Sequence, residues 1–127
     1  QSIAGANMIF NLSASNEYIG KYEYRKELVK TQSARCVAGY IYAPSGVYES
    51  TTDLVYGGHL IIAENGTILK ENSRFQRDSQ IITADIDIER LIYTRINETS
   101  YKDSEILDFK EIKIESLKSI KKLDRFI

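Results

Sequence analysis

The pair Asn65-Gly66 is the strongest local constraint in this chain, because both residues readily adopt the positive φ angles of a two-residue hairpin turn. Apolar runs flank the pair: Gly58 to Ala63 precedes it, and Thr67 to Glu71 follows it. The sequence therefore predicts a β-hairpin here. Any fold of the chain must place these two strands side by side in antiparallel order.

Further strands and a helix are predicted before the hairpin. The apolar runs Ala6 to Leu12 and Val37 to Ala43 are typical of strands that are buried on both faces of a sheet. The segment from Tyr22 to about Arg35 predicts a helix between them, with a buried face that is partly polar. The predicted stripe on that face consists of Tyr24, Leu28, Thr31 and Arg35.

The second half of the chain continues this alternation. Apolar and polar residues alternate from Ile82 to Ile86, which predicts another strand. Asp87 is suited to cap a helix that follows, and the alternation from Glu111 to Glu115 predicts an edge strand. The local patterns therefore predict a mixed α/β fold with a mixed sheet.

Composition limits the class of protein. The 127 residues are 43% hydrophobic and 28% charged, which suits one compact domain. A net charge of -1 with interspersed signs gives no reason to expect nucleic acid or an anionic membrane as a partner. The single cysteine excludes an intramolecular disulfide, and no apolar run approaches the roughly 20 residues of a membrane span. We therefore expect a cytoplasmic protein.

A series of motifs is more specific than these patterns. It resembles the glutamine-hydrolysing domain of the glutamine-dependent NAD synthetases, a family of the nitrilase superfamily. The motifs follow in the family's order through nearly the whole chain. They are Asn11 to Glu17, Gln32 to Cys36, Tyr40 to Gly46, Glu49 to Asp53 and Glu64 to Leu69.

The resemblance implies that residues 1–127 form half of an α-β-β-α sandwich, a partial nitrilase domain. The family's catalytic Glu, Lys and Cys would precede Gln1, so none of them would lie in this chain and the fragment would be inactive. The run Gln1 to Gly5 reads as the last turn of a helix, as expected of a truncated chain. In the parent, ammonia released from glutamine would pass to a synthetase domain beyond Ile127. That domain would use ATP and magnesium to convert deamido-NAD to NAD, so no cofactor is expected in this chain.

Two substrate-binding residues follow from the resemblance. Ser15 matches a serine, and Lys21 an arginine, that the family uses around the α-amino and α-carboxylate groups of glutamine. From the residues alone, Ser15 would be a turn residue. Lysine offers a point charge where arginine offers a planar fork, so the geometry and affinity of carboxylate binding are expected to differ.

Other reactive residue types have structural interpretations. Cys36 is expected to be a small side chain at a helix-to-strand junction, and His59 a packed or exposed strand residue. Glu49 and Asp53 could form an acid/base pair, but their expected role is to accept hydrogen bonds within their loop. Tyr48 stands where the family commonly has glycine, so the local backbone is expected to differ. No Cys/His cluster predicts a metal site.

Two other functions remain open from the sequence. The chain could belong to a nitrilase-type amidase without a synthetase domain, although the Glu49 to Asp53 motif favours the synthetases. It could also be a non-catalytic module that binds a small amino acid or a partner protein. A half-domain would expose an unpaired strand edge, so we expect the isolated chain to self-associate. We also expect the parent to form homo-oligomers.

Overall fold

The computed structural model describes residues 1–103 and 109–113. These residues form a four-stranded mixed sheet with helices packed beside it. Among them, no helix is long and apolar enough to cross a membrane. In chain order the elements are β1 (Met8–Ser13), α1 (Lys21–Cys36), β2 (Gly39–Pro44), a short 3-10 turn (Val47–Glu49), β3 (Ile61–Glu64), β4 (Thr67–Glu71), α2 (Ile88–Asn97) and α3 (Thr99–Lys102).

The strands lie in the order β1-β2-β3-β4. β1 and β2 are parallel, and α1 connects them. β2 and β3 are antiparallel, as are β3 and β4. This topology confirms the mixed α/β fold and places the carboxyl ends of β1 and β2 at one edge of the sheet, where the loops after both strands meet.

The predicted hairpin is confirmed. Asn65 has a φ of 43° and Gly66 a φ of 86°, which are the positive angles expected of the turn. A bulge between Ile62 and Ala63 shifts the register of β3 and β4. The first strand starts at Ile61 rather than at Gly58, so His59 precedes the strand.

The core lies between α1 and one face of the sheet. It consists of Val29 from α1, Tyr42 from β2, and Ile61 and Ala63 from β3, with Tyr40 and Ile68 packed against it. Burial of these apolar side chains is the main force that holds α1 on the sheet. In the part of the chain that the structure describes, only α1 packs on this face, so the core is small.

The predicted buried stripe of α1 was wrong, although a partly polar buried face is confirmed. Tyr24 and Leu28 are exposed, and the buried residues are Arg25, Val29 and Ser33. The prediction favoured Tyr24 and Leu28 because they are apolar. Burial of Arg25 and Ser33 is possible because both make hydrogen bonds inside the protein.

β1 does not have the two buried faces that its sequence predicts. Phe10 is 68% exposed and Leu12 is 84% exposed, while α1 covers only the opposite face of the sheet. Among the described residues, β1 pairs only with β2, so its outer edge is unpaired. The apolar pattern of β1 therefore corresponds to a strand covered on both sides, but the residues that the structure describes cover only one side.

The strand predicted from Ile82 to Ile86 is not formed. The segment has no regular secondary structure, and Ile86 packs over Gly39 on the sheet face opposite α1. The backbone N–H of Asp87 donates to Oε2 of Glu64 at 2.8 Å. The alternation therefore indicated burial on one side, not strand pairing.

Two further predictions concern the end of the chain. The helix capped by Asp87 is confirmed, since the Asp87 side chain accepts from the backbone N–H of Arg90 at 2.9 Å. The predicted edge strand is not seen in residues 109–113, which have no regular secondary structure. Ile114 lies outside the described residues.

Candidate functional site

The loop formed by residues 14–20 joins the end of β1 to the start of α1. It lies beside the loop that follows β2, because Ser45 N–H donates to the carbonyl oxygen of Ser13 at 2.9 Å. A second backbone bond joins Glu17 N–H to the carbonyl oxygen of Val55 at 2.7 Å. Two polar loops thus meet at the carboxyl ends of parallel strands, where ligands of α/β proteins are commonly bound.

A cleft of about 260 Å³ opens next to these loops. Its walls come from the end of β2, from the loop after β2 and from residues 76–80. Neither Ser15 nor Lys21 lines it. The residues that shape it include Pro44, Gly46, Tyr48, Leu60, Arg77 and Asp78.

Ser15 and Lys21 lie at opposite ends of the loop 14–20. Ser15 is half-buried, and Lys21 is the first residue of α1. The ammonium of Lys21 lies 4.7 Å from the ring centroid of Tyr18 and 5.5 Å from that of Tyr24. No described contact joins Ser15 to Lys21, so the structure places them on one short segment without bringing them together.

A buried carboxylate lies between these two residues. Oε1 of Glu17 is 2.6 Å from Nη1 of Arg25, and its Oε2 is 3.1 Å from Nη1 of Arg74. The side chains of Glu17 and Arg25 are only 6% and 2% exposed. The guanidinium of Arg25 also lies over the ring of Tyr42 in the core. The loop is thus tied directly to the hydrophobic core through an ion pair.

A second polar cluster lies between α1 and β4. Glu71 accepts from Nζ of Lys26 at 2.9 Å and is 2.9 Å from Nε2 of His59. His59 is fully buried and packs against the ring of Tyr22, with the ring centroids 4.9 Å apart. Nδ1 of His59 is buried without a described partner. The packing interpretation of His59 is therefore confirmed.

Titration of this cluster follows from its burial and its contacts. Burial lowers the pKa of His59, and the hydrogen bond to Glu71 only partly opposes that effect. Burial raises the pKa of Glu71, but the hydrogen bonds from Lys26 and His59 outweigh it, so the pKa of Glu71 lies below its usual range. The hydrogen bond to Glu71, opposed by burial, raises the pKa of Lys26. Near neutral pH the cluster therefore holds a neutral imidazole beside a carboxylate and an ammonium.

The remaining reactive residues have no catalytic arrangement among the described residues. Cys36 ends α1, and its carbonyl oxygen accepts from Arg95 and from Tyr101. No described hydrogen bond reaches its sulfur, and no described cluster of His, Cys, Asp and Glu could hold a metal ion. The structural interpretation of Cys36 fits this environment.

The prediction that Glu49 and Asp53 carboxylates accept hydrogen bonds in their loop was wrong. Both residues are exposed, and no described hydrogen bond ends on either carboxylate. Hydroxyl groups hold the loop instead: Oγ1 of Thr51 accepts from the N–H groups of Asp53 and Leu54, and Oγ of Ser50 accepts from that of Tyr56. A short hydroxyl side chain reaches the backbone of its own turn more easily than a glutamate does.

Sequence reasoning missed the ion pairs of Glu17. Arg25, Val29 and Ser33 recur at a spacing of four, which places them on one face of a helix. This spacing indicates the buried face of the helix, but a buried arginine can be recognised only when its partner is known. Arg74, the second partner of Glu17, is 57 positions away and could not have been found from spacing.

Comparison with known proteins gives a consistent assignment. No family model matches the chain. The glutamine-dependent NAD(+) synthetase of Mycobacterium tuberculosis H37Rv is 42% identical over 103 residues, which is 81% of this chain and 15% of that protein. The synthetase of Mycobacterium leprae is 41% identical over the same shares. That of Saccharomyces cerevisiae is 32% identical over 71% of this chain and 13% of its own length.

Solved structures agree with these relatives. The crystal structure of a glutamine-dependent NAD(+) synthetase from Cytophaga hutchinsonii matches with a TM-score of 0.55 and 32% identity, covering 58% of this chain and 13% of that one. The synthetase from Acinetobacter baumannii, solved in complex with ADP, matches with a TM-score of 0.56 over 61% of this chain and 14% of its own. At 20% identity, this second match supports the fold alone.

The chain spans about 15% of the length of the curated relatives it matches. The matched part nevertheless covers most of the chain, and both sequence and fold lead to the same group of proteins. By sequence and by fold, the chain is therefore homologous to one segment of the glutamine-dependent NAD(+) synthetases.

Proposed function

We propose that this chain is the C-terminal half of the nitrilase-type glutaminase domain of a glutamine-dependent NAD synthetase. The observation that carries the proposal is the 42% identity with named synthetases over 81% of the chain. Within this proposal, a Cys, a Lys and a Glu from a preceding segment hydrolyse the side-chain amide of glutamine. Ammonia then passes to a synthetase domain that uses ATP and magnesium to amidate deamido-NAD.

The exposed face of β1 supports this placement. Phe10 and Leu12 project from the sheet face opposite α1, where a strand of a complete sandwich would be covered. A second sheet from the preceding segment would cover this apolar surface, as the α-β-β-α arrangement requires. In the proposed parent, the catalytic residues lie on that second sheet, and this chain alone has no hydrolase activity.

This chain contributes Ser15 and Lys21 to the glutamine pocket in the proposal. Ser15 lies within the loop 14–20 at the carboxyl end of β1, and Lys21 follows the loop as the first residue of α1. The ammonium of Lys21 is held near two tyrosine rings and carries the positive charge that an α-carboxylate needs. Ser15 has no described hydrogen-bond partner, so its hydroxyl can bind the α-amino group.

The experiment uses the full-length protein and measures NAD formation from deamido-NAD with either glutamine or ammonia. Lys21→Ala should raise the KM for glutamine about tenfold, because it removes a charged contact to substrate. The ammonia-driven rate measures how much enzyme remains intact. An unchanged KM for glutamine would remove Lys21 from the pocket, and a wild-type protein that forms no NAD with glutamine would refute the function itself.

A further inference from the structure

Glu17 lies inside the loop that carries the proposed pocket residues, two positions after Ser15 and four before Lys21. Its carboxylate is buried, so it contacts no substrate. We propose that Glu17 is a positioning residue, which holds residues 14–20 in the conformation that lets Ser15 and Lys21 bind the amino-acid end of glutamine. This inference rests on the proposed function and adds a residue that positions the glutamine contacts without touching the substrate.

Glu17 connects the loop to three other parts of the molecule. Its carboxylate binds Arg25 of α1 and Arg74 of the segment after β4, and its backbone N–H binds the carbonyl oxygen of Val55. Among the described residues, every hydrogen bond from the loop 14–20 to a residue outside α1 is made by Glu17. Glu17 therefore makes the hydrogen bonds that connect the loop to Arg74 and Val55.

The surroundings leave little freedom to the Glu17 side chain. A Cβ at Gly57 would lie 2.5 Å from Oε1 of Glu17 and 3.0 Å from its Cδ, so only glycine fits there. Two cations bind the two oxygens of the carboxylate, which sets its orientation as well as its location. Because both carboxylate oxygens are bound and Gly57 packs against the side chain, a small displacement of Glu17 also displaces the loop 14–20.

Arg74 is itself held in place by an unusual backbone. The next residue, Phe75, has a φ of 62°, a left-handed conformation that is costly for a bulky side chain. Phe75 N–H donates to the carbonyl oxygen of Gly57 at 2.7 Å. This bond keeps the turn next to Gly57, against which the Glu17 carboxylate packs. The guanidinium of Arg74 also lies 4.5 Å from the ring centroid of Tyr22. These contacts aim Arg74 at the loop and explain the second ion pair.

The test measures the KM for glutamine in the full-length protein. Glu17→Gln preserves the size of the side chain but removes the charge that binds both arginines. We expect a rise in the KM for glutamine of about tenfold or more, because a displaced loop misplaces the substrate contacts. The ammonia-driven rate again reports the amount of intact enzyme.

Glu71→Gln is the matched control. This substitution removes the charge of another partly buried carboxylate, which pairs with Lys26 of α1. Glu71 contacts no residue of the loop 14–20. The substitution should reduce thermal stability and leave the KM for glutamine unchanged. Hydrogen exchange should show faster exchange of peptides from residues 14–20 in Glu17→Gln, but not in Glu71→Gln.

Gly57→Ala provides a second variant that keeps all charges. Its new methyl group must push the Glu17 carboxylate aside, so it should also raise the KM for glutamine, and it decides the question if Glu17→Gln does not fold. An unchanged KM in both variants would overturn the proposal, as would an equal rise in Glu71→Gln. Failure of the wild-type protein to use glutamine at all would refute the proposed function instead.

Discussion

At the scale of single residues, buried polar groups contribute to the packing of α1 against the sheet as much as apolar residues do. Arg25 occupies a position on α1 where an apolar residue is ordinarily expected, and it is tolerated because Glu17 neutralises it. His59 is buried as a neutral ring beside Glu71. Each of these groups is buried next to a charged partner. The pKa values of His59 and Glu71 are shifted in the folded chain, so their titration alters stability.

Stability should fall as the pH is lowered from 7 to 5. The folded-state pKa of His59 lies below its ordinary value of 6.5, so the unfolded chain takes up a proton first and the free energy of unfolding decreases below pH 6.5. The folded-state pKa of Glu71 is also lowered, so its stabilisation is lost as the pH falls below about 4.5. One such group changes stability by at most about 1.4 kcal/mol per pH unit.

Urea denaturation at pH 7, 6 and 5 measures this dependence. His59→Gln keeps a donor for Glu71 but cannot titrate, so its stability should depend less on pH between 6.5 and 5. A variant with the same pH dependence as the wild type would show that another group is responsible.

At the scale of elements, Arg95 connects α2 to the junction between α1 and β2. Its guanidinium donates to the carbonyl oxygens of Ala6, Cys36 and Val37 and to Oδ1 of Asn7. The carbonyl groups at the end of a helix lack intrahelical partners and carry partial negative charge, which a cation stabilises. Leu91, the one buried residue of α2, adds apolar burial one helical turn before Arg95.

Arg95→Met should therefore destabilise the chain by about 2–4 kcal/mol, because several charge-assisted hydrogen bonds are lost together. Arg90→Met is the control, since Arg90 lies on the same helix, is exposed, and makes no described side-chain hydrogen bond. Chemical denaturation followed by circular dichroism compares the two variants. Equal stabilities would show that the hydrogen bonds of Arg95 do not stabilise the packing of α2.

At the scale of the whole molecule, one sheet face and one strand edge are open among the described residues. β1 has no neighbour on its outer side, and Phe10 and Leu12 are exposed on the face opposite α1. At about 25 cal/mol per Å², a few hundred Å² of such apolar surface corresponds to several kcal/mol. A surface of this kind is normally covered in a stable protein.

The isolated chain should therefore self-associate at micromolar concentration, which sedimentation velocity measures. Leu12→Lys, at the exposed end of β1, should shift the chain toward monomer by placing a charge on the open face. Tyr93→Lys is the control, because Tyr93 is also a highly exposed apolar residue but lies on α2. A compact wild-type monomer would contradict this prediction.

The sequence by itself determined the local elements whose causes are local. The Asn65-Gly66 turn, the helix between β1 and β2, and the Asp87 cap all follow from residue chemistry within a few positions, and the structure has all three. The ordered motifs also led to the correct group of relatives. Backbone propensity and capping act over short distances, so they can be read without knowing the fold.

Only the tertiary structure decided which faces are buried and which charges are paired. Among the described residues, Ile82 to Ile86 has the alternation of a strand but no pairing neighbour, and β1 has the composition of a covered strand but a cover on only one side. Glu17 could be recognised as an anchor only once Arg74 was placed beside it. Burial and ion pairing depend on residues that are distant in sequence, and therefore on how the whole chain packs.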